Sequence, residues 1–148
     1  MLDDLYQDLI LDHGKRPRNF GPLPGCTHEA EGLNPFCGDQ VHVRLILEGD
    51  RLQEVRFEGA GCAISTASAS MMTQMVKGKT IEEAQALFSR FHDAALGRAE
   101  PENLGELEAL CGVKDYPNRI KCATLAWHAL VKAIEGGGAT TTEAEDHA

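Results

Sequence analysis

Apolar and polar residues alternate most cleanly at 41–47 (VHVRLIL). Val41, Val43, Leu45 and Leu47 fall on one side there, His42 and Arg44 on the other, which is the period-2 pattern of a half-buried strand. Residues 52–58 (LQEVRFE) alternate too, and Glu48-Gly49-Asp50-Arg51 between the two runs reads as a hairpin turn. Residues 26–33 (CTHEAEGL) are a weaker third strand. Around these strands the period becomes helical. Residues 2–13 place Leu2, Leu5, Leu9 and Ile10 on one face, and Gly14 can end that helix. Residues 63–76, rich in small side chains and Met, read as a buried helix ended by Gly78. Thr80 with Glu83 three residues later forms a capping box. The helix it opens carries Ile81, Ala84, Leu87, Phe88 and Phe91 on one face.

Residues 97–117 are less regular, with a short helix predicted at 103–110 and a stop at Tyr116-Pro117. Asn118 is the expected cap of a last helix bearing Ile120, Thr124, Trp127, Leu130, Val131 and Ile134. The predicted fold class is therefore α+β: a small antiparallel three-stranded sheet packed against several α-helices, in one domain over 1–135. The glycine-rich stretch 136–148 reads as a disordered tail.

The chain has 148 residues, enough to bury a core without help from a metal or disulfides. Its net charge of −9 argues against nucleic acid as a partner, since phosphate binding needs a basic footprint. The opening MLDDLYQDLILDH is acidic where a secretion signal is basic, and no apolar run approaches the ~18 residues of a membrane span. The expected location is cytoplasmic. Thiols there are kept mostly reduced, so the five cysteines are better read as ligands, nucleophiles or core residues than as a disulfide framework.

Three cysteines fall at informative places. Cys37 lies in a turn before the best strand, with Asp39 two residues on and Gly38 between them to let the chain bend. Cys62 follows Gly59-Ala60-Gly61 and opens a helix; Cys122 lies in the first turns of the last helix, beside Arg119 and Lys121. A helix start favours thiolate, the form that binds metal and attacks sulfur. Three thiolates and one carboxylate would complete a tetrahedral zinc shell, which places the site at one end of the sheet and at helix N-termini. From spacing alone the other reading, three buried core cysteines, also stands. It is opposed by the Gly-rich, polar surroundings of each cysteine and by Asp39, a poor neighbour for an apolar core. Cys26, Cys111, the six histidines and Met71, Met72 and Met75 read as ordinary surface or core residues. The basic run Lys15-Arg16-Pro17-Arg18 reads as solvated loop or as a docking edge.

The segments NPFCGDQV (34–41), GAGCAIS (59–65) and RIKCATLAW (119–127) resemble the three cysteine motifs of the SufU/IscU family of iron–sulfur cluster assembly proteins, and LYQDLILDHGKRPRNFG (5–21) resembles its opening segment. Two departures from the scaffold pattern bring the chain closer to the SufU type. Lys121 stands where scaffolds carry histidine, and an extra stretch lies around 97–116. VKDYPNRIK also stands where scaffolds carry a chaperone-recognition motif. The resemblance implies a zinc-dependent sulfurtransferase that takes persulfide sulfur from a cysteine desulfurase (SufS-like) and passes it to a downstream cluster scaffold. It implies zinc ligands at Cys37, Asp39, Cys62 and Cys122, a persulfide-accepting Cys37, and a supporting Arg119. The alternative is a scaffold on which the same four residues hold a [2Fe–2S] cluster or iron.

Overall fold

The computed structural model describes residues 2–35 and 37–141, the side chains of residues 2–6 and of Ala139 excepted. Helix α1 (Leu2–Lys15) leads into three strands, β1 (His28–Asn34), β2 (Asp39–Glu48) and β3 (Arg51–Ala60). Helices α2 (Ala63–Val76) and α3 (Ile81–Ala95) follow, then a 3-10 helix (Gly105–Asp115), helix α4 (Pro117–Ile134) and a last strand, β4 (Gly138–Thr141). The architecture is α+β, with one sheet face covered by helices.

The sheet has four strands, in the order β3-β2-β1-β4, rather than three. The pairs β1–β2 and β2–β3 are antiparallel, and β4 lies parallel to β1. The extra strand draws residues 138–141 of the expected tail into the fold, while 142–148 lie outside the described residues. Glycine makes this strand possible and hides it in the sequence. Gly136, Gly137 and Gly138 all have positive φ, and a Cβ on Gly137 would stand 2.5 Å from the Glu29 carbonyl oxygen. Only glycine brings the chain that close to β1, and GATT has no apolar alternation to betray a strand.

The predicted alternation is realised in β2 and β3. Val41, Val43 and Leu45 are buried against Leu52, Val55 and Phe57, and a bulge falls between Ile46 and Leu47. The same parity extends to the lower end of the sheet. Asp39 on β2 and Asn34 on β1 also face inward, and they pair across the strands. Helices α2 and α4 cover this face. Gly32 lets α4 approach: a Cβ there would meet Val41, Leu125 and Ala129 at 3.0 to 3.4 Å. Trp127 is fully buried between Phe88 and Phe91 and donates its indole N–H to Ser68 Oγ at 3.2 Å. Met71 and Met72 are core residues, as expected.

Helix boundaries follow their caps. Thr80 and Glu83 form the predicted capping box. Helix α4 begins at Pro117 after Tyr116, one residue before the expected Asn118 cap; proline at the first helical position loses no hydrogen bond there, and its fixed φ suits the helix. The segment expected as a short helix at 103–110 is the longer 3-10 helix. It is tied to the core through His13, which is 1% exposed. The His13 ring bonds Ser70 Oγ of α2 at 2.7 Å through Nδ1, and Glu106 Oε1 of the 3-10 helix at 3.0 Å through Nε2.

The β3 side of the sheet is not left bare. The loop after α1 covers β3: Gly21 N–H donates to the Phe57 carbonyl at 2.9 Å, and Phe57 N–H donates to the Asn19 carbonyl at 3.1 Å. Farther along, Leu52 exchanges backbone hydrogen bonds with Lys79 and Gly78. In that loop Arg18 bonds Asp12 at 2.6 Å and Arg16 lies 3.4 Å from the same carboxylate, so the basic run is partly neutralised by α1.

Candidate metal centre

Two chain reversals and the first part of helix α4 meet at one end of the sheet. The turn between β1 and β2 carries Cys37, with Gly38 at φ 74°, and leads directly into Asp39. The passage from β3 to α2 carries Cys62 as N-cap, its backbone extended at φ −72° and ψ 168°. Helix α4 supplies Cys122 from its second turn. Ligand atoms of Cys37, Asp39 and Cys122 all lie within 4.8 Å of one another. A zinc tetrahedron with Zn–S bonds of about 2.3 Å has edges of about 3.7 Å, so this trio stands at most about an ångström open.

The fourth predicted residue, Cys62, stands beside the trio. Its Sγ is 4.0 Å from Asp39 Oδ2 and adjoins the Cys122 thiol. Asp39 is fully buried and doubly anchored: Oδ1 accepts the Cys62 N–H at 2.9 Å, and Oδ2 accepts the Asn34 side-chain amide at 3.3 Å. Gly61 makes room for this carboxylate, since a Cβ there would stand 2.5 Å from Oδ1.

Exposure divides the thiols. Cys37 and Cys62 are exposed, whereas Cys122 is buried. The proton distribution follows. Cys62 is pulled down from the ordinary 9.0 to about 6, chiefly because the Cys122 thiol donates to it, with help from the Ser65 and Ile64 backbone N–H groups at the start of α2 and against the opposition of burial and Asp39. Cys122 is pushed up, by the same hydrogen bond, by burial and by Asp39. The helix-start N–H groups therefore only assist at Cys62, whose lowering is due chiefly to the Cys122 thiol, and the direction is reversed at Cys122, which lies further into α4 and faces Cys62 and Asp39. Outside the cluster, burial pushes the Cys111 thiol up to about 11, and burial with Glu29 raises Cys26; neither joins the site.

Arg119 is exposed, its guanidinium stacked over the Tyr116 ring at 5.1 Å. It borders a groove of about 770 Å³ between α1 and the 3-10 helix, and a second groove of about 660 Å³ lies on the solvent face of the sheet. Asn34 opens the segment NPFCGDQV but has no ligand chemistry of its own, and its strand is weak in the sequence. Its inward parity with Ala30 and Asp39 is the signal that identifies it.

The donor set suits a borderline-soft divalent ion: thiolates with one carboxylate, on a carboxylate already oriented by its neighbours.

Residues 5–136 match the family described as NifU-like N terminal domain. The chain is 48% identical over 141 residues to the zinc-dependent sulfurtransferase SufU of Bacillus subtilis (strain 168), covering 92% of this chain and 95% of that protein. It is 47% identical over 137 residues to the iron–sulfur cluster assembly scaffold protein IscU of Streptococcus pyogenes serotype M1, covering 90% and 85%. A crystal structure of the N-terminal part of a nitrogen-fixing NifU-like protein from Brucella abortus superposes with a TM-score of 0.82 at 25% identity, covering 90% of this chain and 94% of that one.

Proposed function

Because the chain belongs to the family of NifU-like N-terminal domains that serve iron–sulfur cluster assembly, we propose that it is a zinc-dependent sulfurtransferase, taking persulfide sulfur from a cysteine desulfurase and passing it to the cluster assembly machinery. The observation that carries this reading is the asymmetry of the donor set. Cys37 sits exposed on a turn, while Asp39 and Cys122, its two closest ligand neighbours, are buried and hydrogen-bonded. Of the two exposed thiols, Cys62 is fixed as the N-cap of α2 with its N–H on Asp39, while Cys37 stands on a turn.

Cys37, Asp39, Cys62 and Cys122 would hold the zinc, which when bound keeps thiolates deprotonated and does no redox chemistry. The chain's own part is nucleophilic. The Cys37 thiolate attacks the outer sulfur of the desulfurase persulfide; the S–S bond of that persulfide breaks as a new one forms on Cys37, and the desulfurase cysteine leaves as a thiolate. No oxidant is consumed. Arg119, exposed three residues before Cys122 on α4, adds positive charge to the helix that carries one of the ligands.

The 47% identity to a protein named as a scaffold supports a second reading, in which the same four residues build a [2Fe–2S] cluster and release it. One experiment separates the two. The purified protein is assayed for metal and added to a cysteine desulfurase, alongside Cys37→Ala. Bound zinc with faster desulfurase turnover, lost in Cys37→Ala, supports sulfur transfer. A visible-absorbing cluster that moves to an apo-protein, with turnover unchanged, supports the scaffold and overturns the sulfurtransferase reading.

A further inference from the structure

We infer that Asn34 is a positioning residue for the metal ligands, its side-chain amide fixing the buried carboxylate of Asp39 and the buried thiol of Cys122 relative to one another. The inference rests on the metal-site reading above. Asn34 is the last residue of β1 and is fully buried. It pairs across the sheet with Asp39, the first residue of β2. Its Nδ2 lies 3.3 Å from Asp39 Oδ2 and 3.6 Å from Cys122 Sγ, so one nitrogen with two hydrogens spans a ligand from the sheet and a ligand from α4.

The chemistry of the position is restrictive. As metal ligands Asp39 and Cys122 would be an ionised carboxylate and a thiolate, both acceptors only, standing side by side away from water. A neighbour must therefore donate twice. It must do so without adding a charge, because the site also takes a cation. An asparagine amide meets both demands. Aspartate would face two anions with none of those donors, and an apolar residue would leave two acceptors bare. Donation to a ligand also lowers the electron density it offers the metal and fixes its direction, which is how partners outside the coordination shell tune a site. Asn34 braces the two buried ligands, while Cys37 on its turn is exposed to solvent.

Asn34→Asp, which keeps the shape, and Asn34→Ala are compared with the parent chain as metal-free proteins and after loading with Zn²⁺ or Co²⁺. Zinc affinity is read by competition with a chromophoric chelator, ligand geometry from the Co²⁺ d–d and thiolate charge-transfer bands, and folding from circular dichroism of the metal-free proteins. The expected result is a fall in zinc affinity of about 10- to 100-fold and altered cobalt bands in both variants, with metal-free melting curves close to the parent's. Affinity and bands like the parent's in a folded variant overturn the inference, and so does failure of both metal-free variants to fold, which would assign Asn34 to the fold alone. A parent chain that takes up neither ion overturns the metal-site reading itself, and this inference with it.

Discussion

The Asp39 carboxylate accepts the backbone N–H of Cys62 at 2.9 Å. One predicted ligand thereby orients the chain segment that carries another, since Cys62 is the N-cap of α2. Sheet and helix are set relative to each other through the site. Asp39→Asn keeps an oxygen for that N–H and removes the charge; Asp39→Ala removes both. Zinc affinity is expected to fall in both variants. The Cys62 amide proton should exchange at least about tenfold faster in the alanine variant only, as its bond opens to solvent. Amide exchange by NMR on the metal-free proteins checks this; equal protection in both variants would contradict the anchoring role.

Gly61→Ala tests the same relationship without touching a ligand. The new Cβ would overlap Asp39 Oδ1 at 2.5 Å and crowd its Cγ at 3.1 Å. The carboxylate must turn away, losing a hydrogen bond of about 2 kcal/mol. Stability should drop by about that amount, while zinc affinity falls by at least about tenfold, measured by chelator competition.

The thiol proton distribution gives a pH prediction for the metal-free protein. Cys62, at about 6, is mostly thiolate at neutral pH and is exposed. Its alkylation by iodoacetamide should change by less than about twofold between pH 7 and 8, where an ordinary thiol gains about tenfold, and should fall away below pH 6. Cys111, pushed up to about 11 and buried, should stay unlabelled in the folded protein. The sign for stability follows. The folded form holds Cys62 below its ordinary 9.0, so this group's contribution is complete above pH 9 and is lost as pH falls toward 6. Peptide mapping after timed labelling reads the rates.

His13→Ala removes a buried side chain that bridges Ser70 and Glu106. The cost expected is about 2 kcal/mol, or roughly 4–8 °C in melting temperature. Zinc affinity should be unchanged, because His13 takes no part in the cluster. Thermal melts with and without zinc separate the two effects.

The legible parts of the fold were those with strong local signals. Val41, Val43 and Leu45 announced β2, Thr80 with Glu83 announced α3, and the three cysteine motifs marked the segments that the fold gathers. What stayed hidden depends on long-range geometry. Strand β4 consists of four residues whose place is set by the edge of β1 and by three permissive glycines. Asn34 looks like a turn residue until β1 is known to run to its position. The protonation of Cys122 could not follow from its being near a helix start, because it is decided by the Cys62 thiol and the Asp39 carboxylate, both distant in sequence.

The β3 margin is sealed by the loop around Asn19 and Gly21 and by Gly78 and Lys79, and the β1 margin is closed by the short β4. An open margin is a template on which a second chain can stack. Strand β4 therefore acts as a cap against self-association as well as a part of the sheet. A chain shortened before residue 138 would keep every cysteine motif intact and yet open the β1 edge at Ala30, Glu31, Gly32 and Leu33, the residues that β4 pairs with, to its neighbours. Tags and truncations at the C-terminus bear on the colloidal behaviour of this protein well before they reach its cysteine cluster.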